Sequence, residues 1–162
     1  ISHPQALEQC GEYIRAHGAP SSPEDLAQHT GLLLETVMHP PTQILRKNGA
    51  ASPILRWKEV FTTHDQMTLR ELVLSSLGIT VDLYAGHVLP EIRRGRLVPI
   101  MPGWRREPWQ MSVVTRWEDE ARSKALSDFA AYVALEAEAT WAPIREETNR
   151  VVEEAFRRRL RS

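Results

Sequence analysis

Apolar runs of strand length alternate along this chain with stretches of helical periodicity, and that alternation points to an α/β fold with a mixed, mostly parallel sheet flanked by helices. Leu7, Cys10, Tyr13 and Ile14 are spaced for a helix over Gln5 to His17, closed by Gly18. Ser22 followed by Pro23-Glu24-Asp25 reads as a capped start of a brief helix ending near His29. Leu32 to Val37 and Ile54 to Phe61 read as short strands, with Asn48-Gly49 as a hairpin turn between them. Met67, Leu69, Leu72, Val73, Leu74 and Leu77 define a helix stopped by Gly78. Ile79 to Leu83 follows as a buried strand, Pro90 to Arg94 as a helical turn closed by Gly95, and Leu97 to Met101 as a strand before the Pro102-Gly103 turn. A strand over Gln110 to Trp117 precedes a helix over Glu118 to Glu138. Pro143 then breaks the run and starts a last helix reaching about Arg159.

Charge and cysteine content restrict the functional classes. Lys plus Arg number 20 against 21 Asp plus Glu, a net charge of −1, so no overall field draws the chain to nucleic acid or an anionic membrane. The single cysteine, Cys10, excludes an internal disulfide and a multi-cysteine zinc site, and a reducing, cytoplasmic location is the expectation. No apolar run reaches the ~18 residues of a membrane helix, so no membrane contact is expected.

Chemistry is most legible in Thr62-Thr63-His64-Asp65-Gln66, at the entry to the helix beginning near Met67. Free N–H groups at a helix start, aided by the dipole and by Thr hydroxyls, suit a carboxylate-bearing ligand. The structural alternative is that Thr63 or Asp65 caps the helix, and one residue can do both. His64 beside Asp65 also has the composition of an acid–base pair, with surface pairing as the alternative. The histidines His3, His17, His29, His39, His64 and His87 lack metal-ligand spacing, so neither a metal nor a cofactor is expected. Ser75-Ser76 and Cys10 have no nucleophile-elbow context. Trp104 and Trp109 flank Arg105-Arg106, which suits either a planar ligand or a rim loop packed on the core. The basic end Arg157-Arg158-Arg159-Leu160-Arg161 reads as a solvated helix terminus on an otherwise amphipathic helix.

Three phrases carry a family resemblance. Tyr13-Ile14-Arg15-Ala16-His17-Gly18-Ala19-Pro20, followed by Pro23-Glu24-Asp25-Leu26-Ala27-Gln28-His29, resembles the segment entering the second lobe of the effector-binding domain of LysR-type transcriptional regulators. Leu69 to Ile79 and then Gly95-Arg96-Leu97-Val98-Pro99-Ile100-Met101-Pro102-Gly103-Trp104 are similar to that domain's helix, its "GxGI" strand and its "GRLVxxLPxW" closing phrase. The strand around Val113 and the helix from Ser123 to Val133 resemble the elements that end the domain. One departure stands out: where the family usually ends the strand after "GxGI" with proline, this chain has Leu83 preceded by Asp82.

The resemblance implies a periplasmic-binding-protein-like type II architecture with the effector held between two lobes. It further implies one α/β ligand-binding domain over 1–162, with about 13–110 similar to the second lobe, 111–138 to the returning part of the first, and 139–162 as an additional C-terminal helix. The expected function is effector sensing: binding a small carboxylate or aromatic metabolite and passing the event on through rearrangement of a homo-oligomer. DNA contact is expected only through a segment outside this chain. In the resemblance the Thr62–Gln66 junction faces the cleft. Two other functions are compatible with the residues: an enzyme on the same scaffold, with His64 and Asp65 moving protons in an isomerisation or cyclisation, and a dimerising piece that takes no ligand.

Overall fold

The computed structural model describes residues 7–108, 112–116, 118 and 123–159. Its centre is a five-stranded sheet made of β1 (Leu7–Cys10), β2 (Thr30–Leu34), β5 (Glu59–Thr63), β6 (Ile79–Thr80) and β7 (Leu97–Ile100), in the order β5-β2-β6-β1-β7. β5, β2 and β6 run parallel, and β1 lies antiparallel between β6 and β7. A second sheet joins the hairpin β3 (Leu45–Lys47) and β4 (Ala50–Ala51) to β8 (Arg105–Arg106). The hairpin turns at Asn48 and Gly49, both with positive φ, as a tight turn of this kind requires.

β2 explains why the sheet is covered on both sides. Four of its five residues are buried, the mark of an internal parallel strand. Leu33 enters a cluster with Tyr13, Leu26, Leu45, Leu55 and Ile100 on one face. Leu32 and Leu34 enter another with Leu69, Val73, Val88, Ile92 and Val151 on the other. Each such leucine contributes about 1.5–3 kcal/mol when fully buried. The helices α2 (Gln66–Leu74), α3 (Ala85–Arg93) and the C-terminal half of α4 (Lys124–Arg159) cover the second face. The first carries α1 (Gly11–His17) and the 3-10 helix Pro23–Gln28. Between strands, Gly31 leaves room for the Trp57 ring: a Cβ there would stand 2.6 Å from it.

Several elements differ from the sequence expectation. Residues 7–10 form a strand rather than the first part of a helix, because hydrogen-bonded neighbours on both sides, with Glu8 opposite Thr80 and Pro99, outweigh local helical spacing. Helix α1 starts only at Gly11 and ends in the left-handed Gly18. β5 begins at Glu59, where its register with Thr30 begins, leaving Ile54 exposed in the preceding loop. Helix α2 stops at Leu74, before Leu77. α3 is a full helix with Pro90 inside it, not a single turn around Pro90. Residues 112–116 are irregular where a strand over Gln110 to Trp117 was expected, and 109–111 and 117 lie outside the described residues.

The C-terminal helix is continuous for 36 residues and passes through Pro143. A proline there loses the bond to the Ala139 carbonyl and crowds it with its ring, but Ala139 and Pro143 are both exposed, so this turn lies on the solvent side, where the freed carbonyl is open to water. Ser123 Oγ accepts the Leu126 N–H at the helix start, 3.3 Å away. The helix docks through Thr148, Val151 and Val152, whereas Phe129, Tyr132 and Leu135 in its first half are exposed.

Candidate functional site

In an open α/β sheet ligands bind beyond the carboxyl ends of the parallel strands, where successive connections diverge. Here the ends of β2, β5 and β6 share one edge, and three connections leave it: 35–44 after β2, His64-Asp65 between β5 and α2, and 81–84 after β6. Val37 and Met38 project fully into solvent from a tight turn in which Thr36 and His39 exchange backbone hydrogen bonds of 2.9 and 3.2 Å.

The structure brings Thr62, Thr63, His64, Asp65 and Gln66 to this edge in distinct roles. Thr62, His64 and Asp65 are exposed, while Thr63 and Gln66 are half-buried. The Thr63 carbonyl accepts the Glu35 N–H at 2.9 Å, continuing the β2–β5 ladder into the rim. Asp65 is the N-cap of α2, its carboxylate accepting the Thr68 N–H at 2.6 Å. That bond holds the Asp65 carboxyl below its ordinary range, with the nearby His64 a lesser contributor. The helix start is thus already served by the chain's own carboxylate. Gln66 is a clip: its Nε2 donates to the Asp82 carbonyl at 2.8 Å and its Oε1 accepts the Tyr84 N–H at 3.0 Å.

Beneath the rim lies Asp82, which sequence reasoning noted only as a departure from the family phrase. It is 1% exposed. Its Oδ2 accepts the Leu34 N–H at 3.1 Å, its Oδ1 accepts the Thr42 hydroxyl at 2.6 Å, and Arg106 Nε stands 3.9 Å from Oδ1. Burial raises the Asp82 carboxyl above its ordinary range, against the lowering pull of Thr42 and Arg106. Burial likewise pushes the Arg106 guanidinium down to about 10, opposed by Asp82. A charged residue inside the short apolar run Ile79 to Leu83 was the available signal, since a buried charge must be paired.

Other anchors pin the helices around the site. Glu91, buried on α3, is gripped by Arg70 of α2 and by Arg94 and Arg96. Burial pushes its carboxyl up, but the arginines win and hold it below the usual range. Tyr84, at the start of α3, makes edge contacts with His87 and with Trp141 of α4, at ring-centroid distances of 5.5 and 5.1 Å.

The remaining candidates are placed elsewhere. Arg106 turns inward to Asp82, while Arg105 reaches Asn149 on α4 at 3.2 Å. The Trp104 ring faces Lys47 Nζ at 5.8 Å, and Trp109 lies outside the described residues. Arg157 pairs with Glu153. Leu160 and Arg161 of the basic end, and His3, lie outside the described residues. Among the described residues no group of three or more His, Cys, Asp or Glu side chains is placed to hold a metal, and no helix is long and apolar enough to cross a membrane. Hollows of about 440 and 450 Å³ are lined by other residues, the first by Ile92, Leu97 and Ala155, the second by Lys47, Met101 and Phe156.

The sequence profile of the LysR substrate binding domain matches residues 12–137. Among solved structures, the regulatory domain of AphB treated with cumene hydroperoxide, from Vibrio vulnificus, is similar at 25% identity and a TM-score of 0.54, over 65% of this chain and 52% of that one. CrgA, a LysR-type transcriptional regulator from Neisseria meningitidis, is similar at 28% identity and a TM-score of 0.53, over 67% of this chain and 37% of that one. The CrgA regulatory domain shares the fold over 96% of this chain and 66% of its own, at 22% identity and a TM-score of 0.52. The chain thus spans about half the length of the first of these regulatory domains. No curated protein sequence matches it.

Proposed function

Since the chain belongs to the LysR substrate binding domain family, with its periplasmic-binding-protein-like type II fold, we propose that it senses a small effector bound at the carboxyl edge of β2, β5 and β6. The observation that carries this reading is the division of labour on that edge. Gln66 and Asp82 are consumed in holding the rim, while the Thr62 and His64 side chains stand at the surface beside Thr63. Hydroxyls and an imidazole on a braced frame are recognition groups for a small carboxylate or an aromatic acid. Asp65 already neutralises the start of α2, so a ligand carboxylate is taken by the Thr63 hydroxyl and His64 rather than by the helix terminus.

This rim forms one wall of a binding cleft, and the signal passes on through rearrangement of an oligomer, with DNA contacted by a segment outside this chain. Asp65 Oδ2 caps α2 through the Thr68 N–H, which makes capping its first role, with the acid–base reading of His64 and Asp65 as the alternative.

The test is a ligand titration of the wild type, Thr63→Val and His64→Ala, followed by the chain's amide signals. Each substitution weakens binding of a carboxylic effector by about tenfold, the worth of one hydrogen bond to a charged group. Unchanged affinity in both variants overturns the placement of the site.

A further inference from the structure

We propose that Asp82 is the positioning residue of this site, its buried carboxylate tying the Thr63–Gln66 rim to strand β8 through Arg106 so that the two move as one unit. The proposal deepens the effector reading and rests on it for the identity of the site.

Asp82 touches every segment that frames the rim. Through Oδ2 it holds the Leu34 N–H at the end of β2, and the next residue, Glu35, donates its own N–H to Thr63. Through its carbonyl it holds the Gln66 side chain, at the other end of the same rim segment. Through Oδ1 it holds Thr42 in the connection leading to β3, and faces Arg106 of β8. Arg106 donates onward to the Glu107 carbonyl at 3.0 Å, just after the strand, and β8 itself pairs with β3, Arg106 opposite Leu45. β8 also carries Arg105, which reaches α4 at Asn149. A displacement of the rim therefore meets a continuous path to β8, made of hydrogen bonds and one ion pair, with one carboxylate at its centre.

Stability alone is a poor reason for this arrangement. Withdrawing a carboxylate and a guanidinium from water costs more than packing apolar groups of the same volume, and breaking such a pair exposes an uncompensated buried charge. The pair does fix geometry: the carboxylate accepts from donors arriving from β2 and the 35–44 connection and attracts a third from β8, which an apolar residue cannot do.

Transmission can be measured without an effector, by following the amide signals of Thr63, His64 and Gln66 in the full chain while β8 is perturbed. Arg106→Lys in the wild-type background shifts those signals. In an Asp82→Asn background, which keeps the side-chain shape but removes the charge, the same substitution moves them at least threefold less. A purely structural Asp82 would alter stability in both backgrounds without changing how far Arg106→Lys is felt at the rim. Rim signals that ignore Arg106→Lys, or respond equally in both backgrounds, overturn the proposal. If Asp82→Asn does not fold, Thr42→Val replaces it: weakening the Oδ1 anchor shifts both the Arg106 and the Gln66 signals, and a shift confined to the neighbours of Thr42 overturns the tie. Failure of every effector to bind, with this coupling intact, would refute the sensing function and leave the tie standing.

Discussion

Gly78 sits where α2 gives way to β6, and replacing it with alanine separates a steric requirement from a conformational one. A Cβ at Gly78 would stand 2.5 Å from the Thr30 carbonyl oxygen and 3.0 Å from Leu32 Cγ. Neither neighbour can yield cheaply: the first is backbone at the start of β2, whose Gly31 pairs with Ile79, and the second is fully enclosed. Forcing such a contact costs about 1–3 kcal/mol. The smaller freedom of alanine in the unfolded chain returns about 0.4–1 kcal/mol, leaving a net loss of roughly 1–2 kcal/mol. For a chain of this size that corresponds to a Tm lower by about 2–8 °C. Urea unfolding followed by tryptophan fluorescence and circular dichroism measures it, with the midpoint lowered and the slope unchanged. Gly95→Ala is the control: there φ is +72° and nothing lies within 4 Å, so the loss of about 1–2 kcal/mol comes from the left-handed backbone and leaves β2 signals in place. A Gly78→Ala variant as stable as the wild type, or one whose Thr30 and Leu32 signals do not move, would refute the close-approach argument.

Three further outcomes follow from the same structure. Asp82 has a raised carboxyl pKa, so its contribution to stability is fully present below its ordinary value of 3.8 and is lost as pH rises through the folded value. The stability of the wild type relative to Asp82→Asn therefore improves on acidification across that window, and a difference independent of pH in urea titrations would contradict the burial. Asp65 shows the opposite sign: its capping contribution is present above 3.8 and lost as pH falls through its lowered value, and Asp65→Ala speeds hydrogen exchange at the Thr68 amide, whereas unchanged exchange would remove the cap. On α4, Val151→Ala costs about 1–3 kcal/mol while Phe129→Ala stays within about 0.5 kcal/mol, and a comparable loss at both positions would mean that the first half of the helix also docks on the body.

The α/β class, the Asn48-Gly49 turn, the Pro23 start and the strand at Leu97 were legible because each rests on a local signal that tertiary contacts reinforce. Residues 7–10 were misread because their helical spacing competes with pairing partners some 70 and 90 positions away, which no local window contains. Pro143 does not stop the helix because its local cost of about 3 kcal/mol is offset by the docking of Thr148, Val151 and Val152 further along, a tertiary contact that no local window contains. The position of Thr62 to Gln66 at the entry to α2 was legible from the helix-start signature. The division between cap, clip and open side chains was not, because it depends on Asp82 and Tyr84 arriving from a different connection. Asp82 was visible as a misfit in an apolar run, but its partners Thr42 and Arg106 are set by the fold.

Effector binding at this edge is put to the test by adding a mixed pool of small carboxylic and aromatic metabolites to the isotope-labelled chain and recording both protein and metabolite NMR spectra. The expected result is that one or a few metabolites broaden without new peaks forming, and that the protein signals which shift are those of Thr62, Thr63, His64 and their neighbours on the rim. New product peaks would make the protein an enzyme on this scaffold. Shifts confined to other faces, or a pool that leaves every signal unmoved, would contradict the effector site itself.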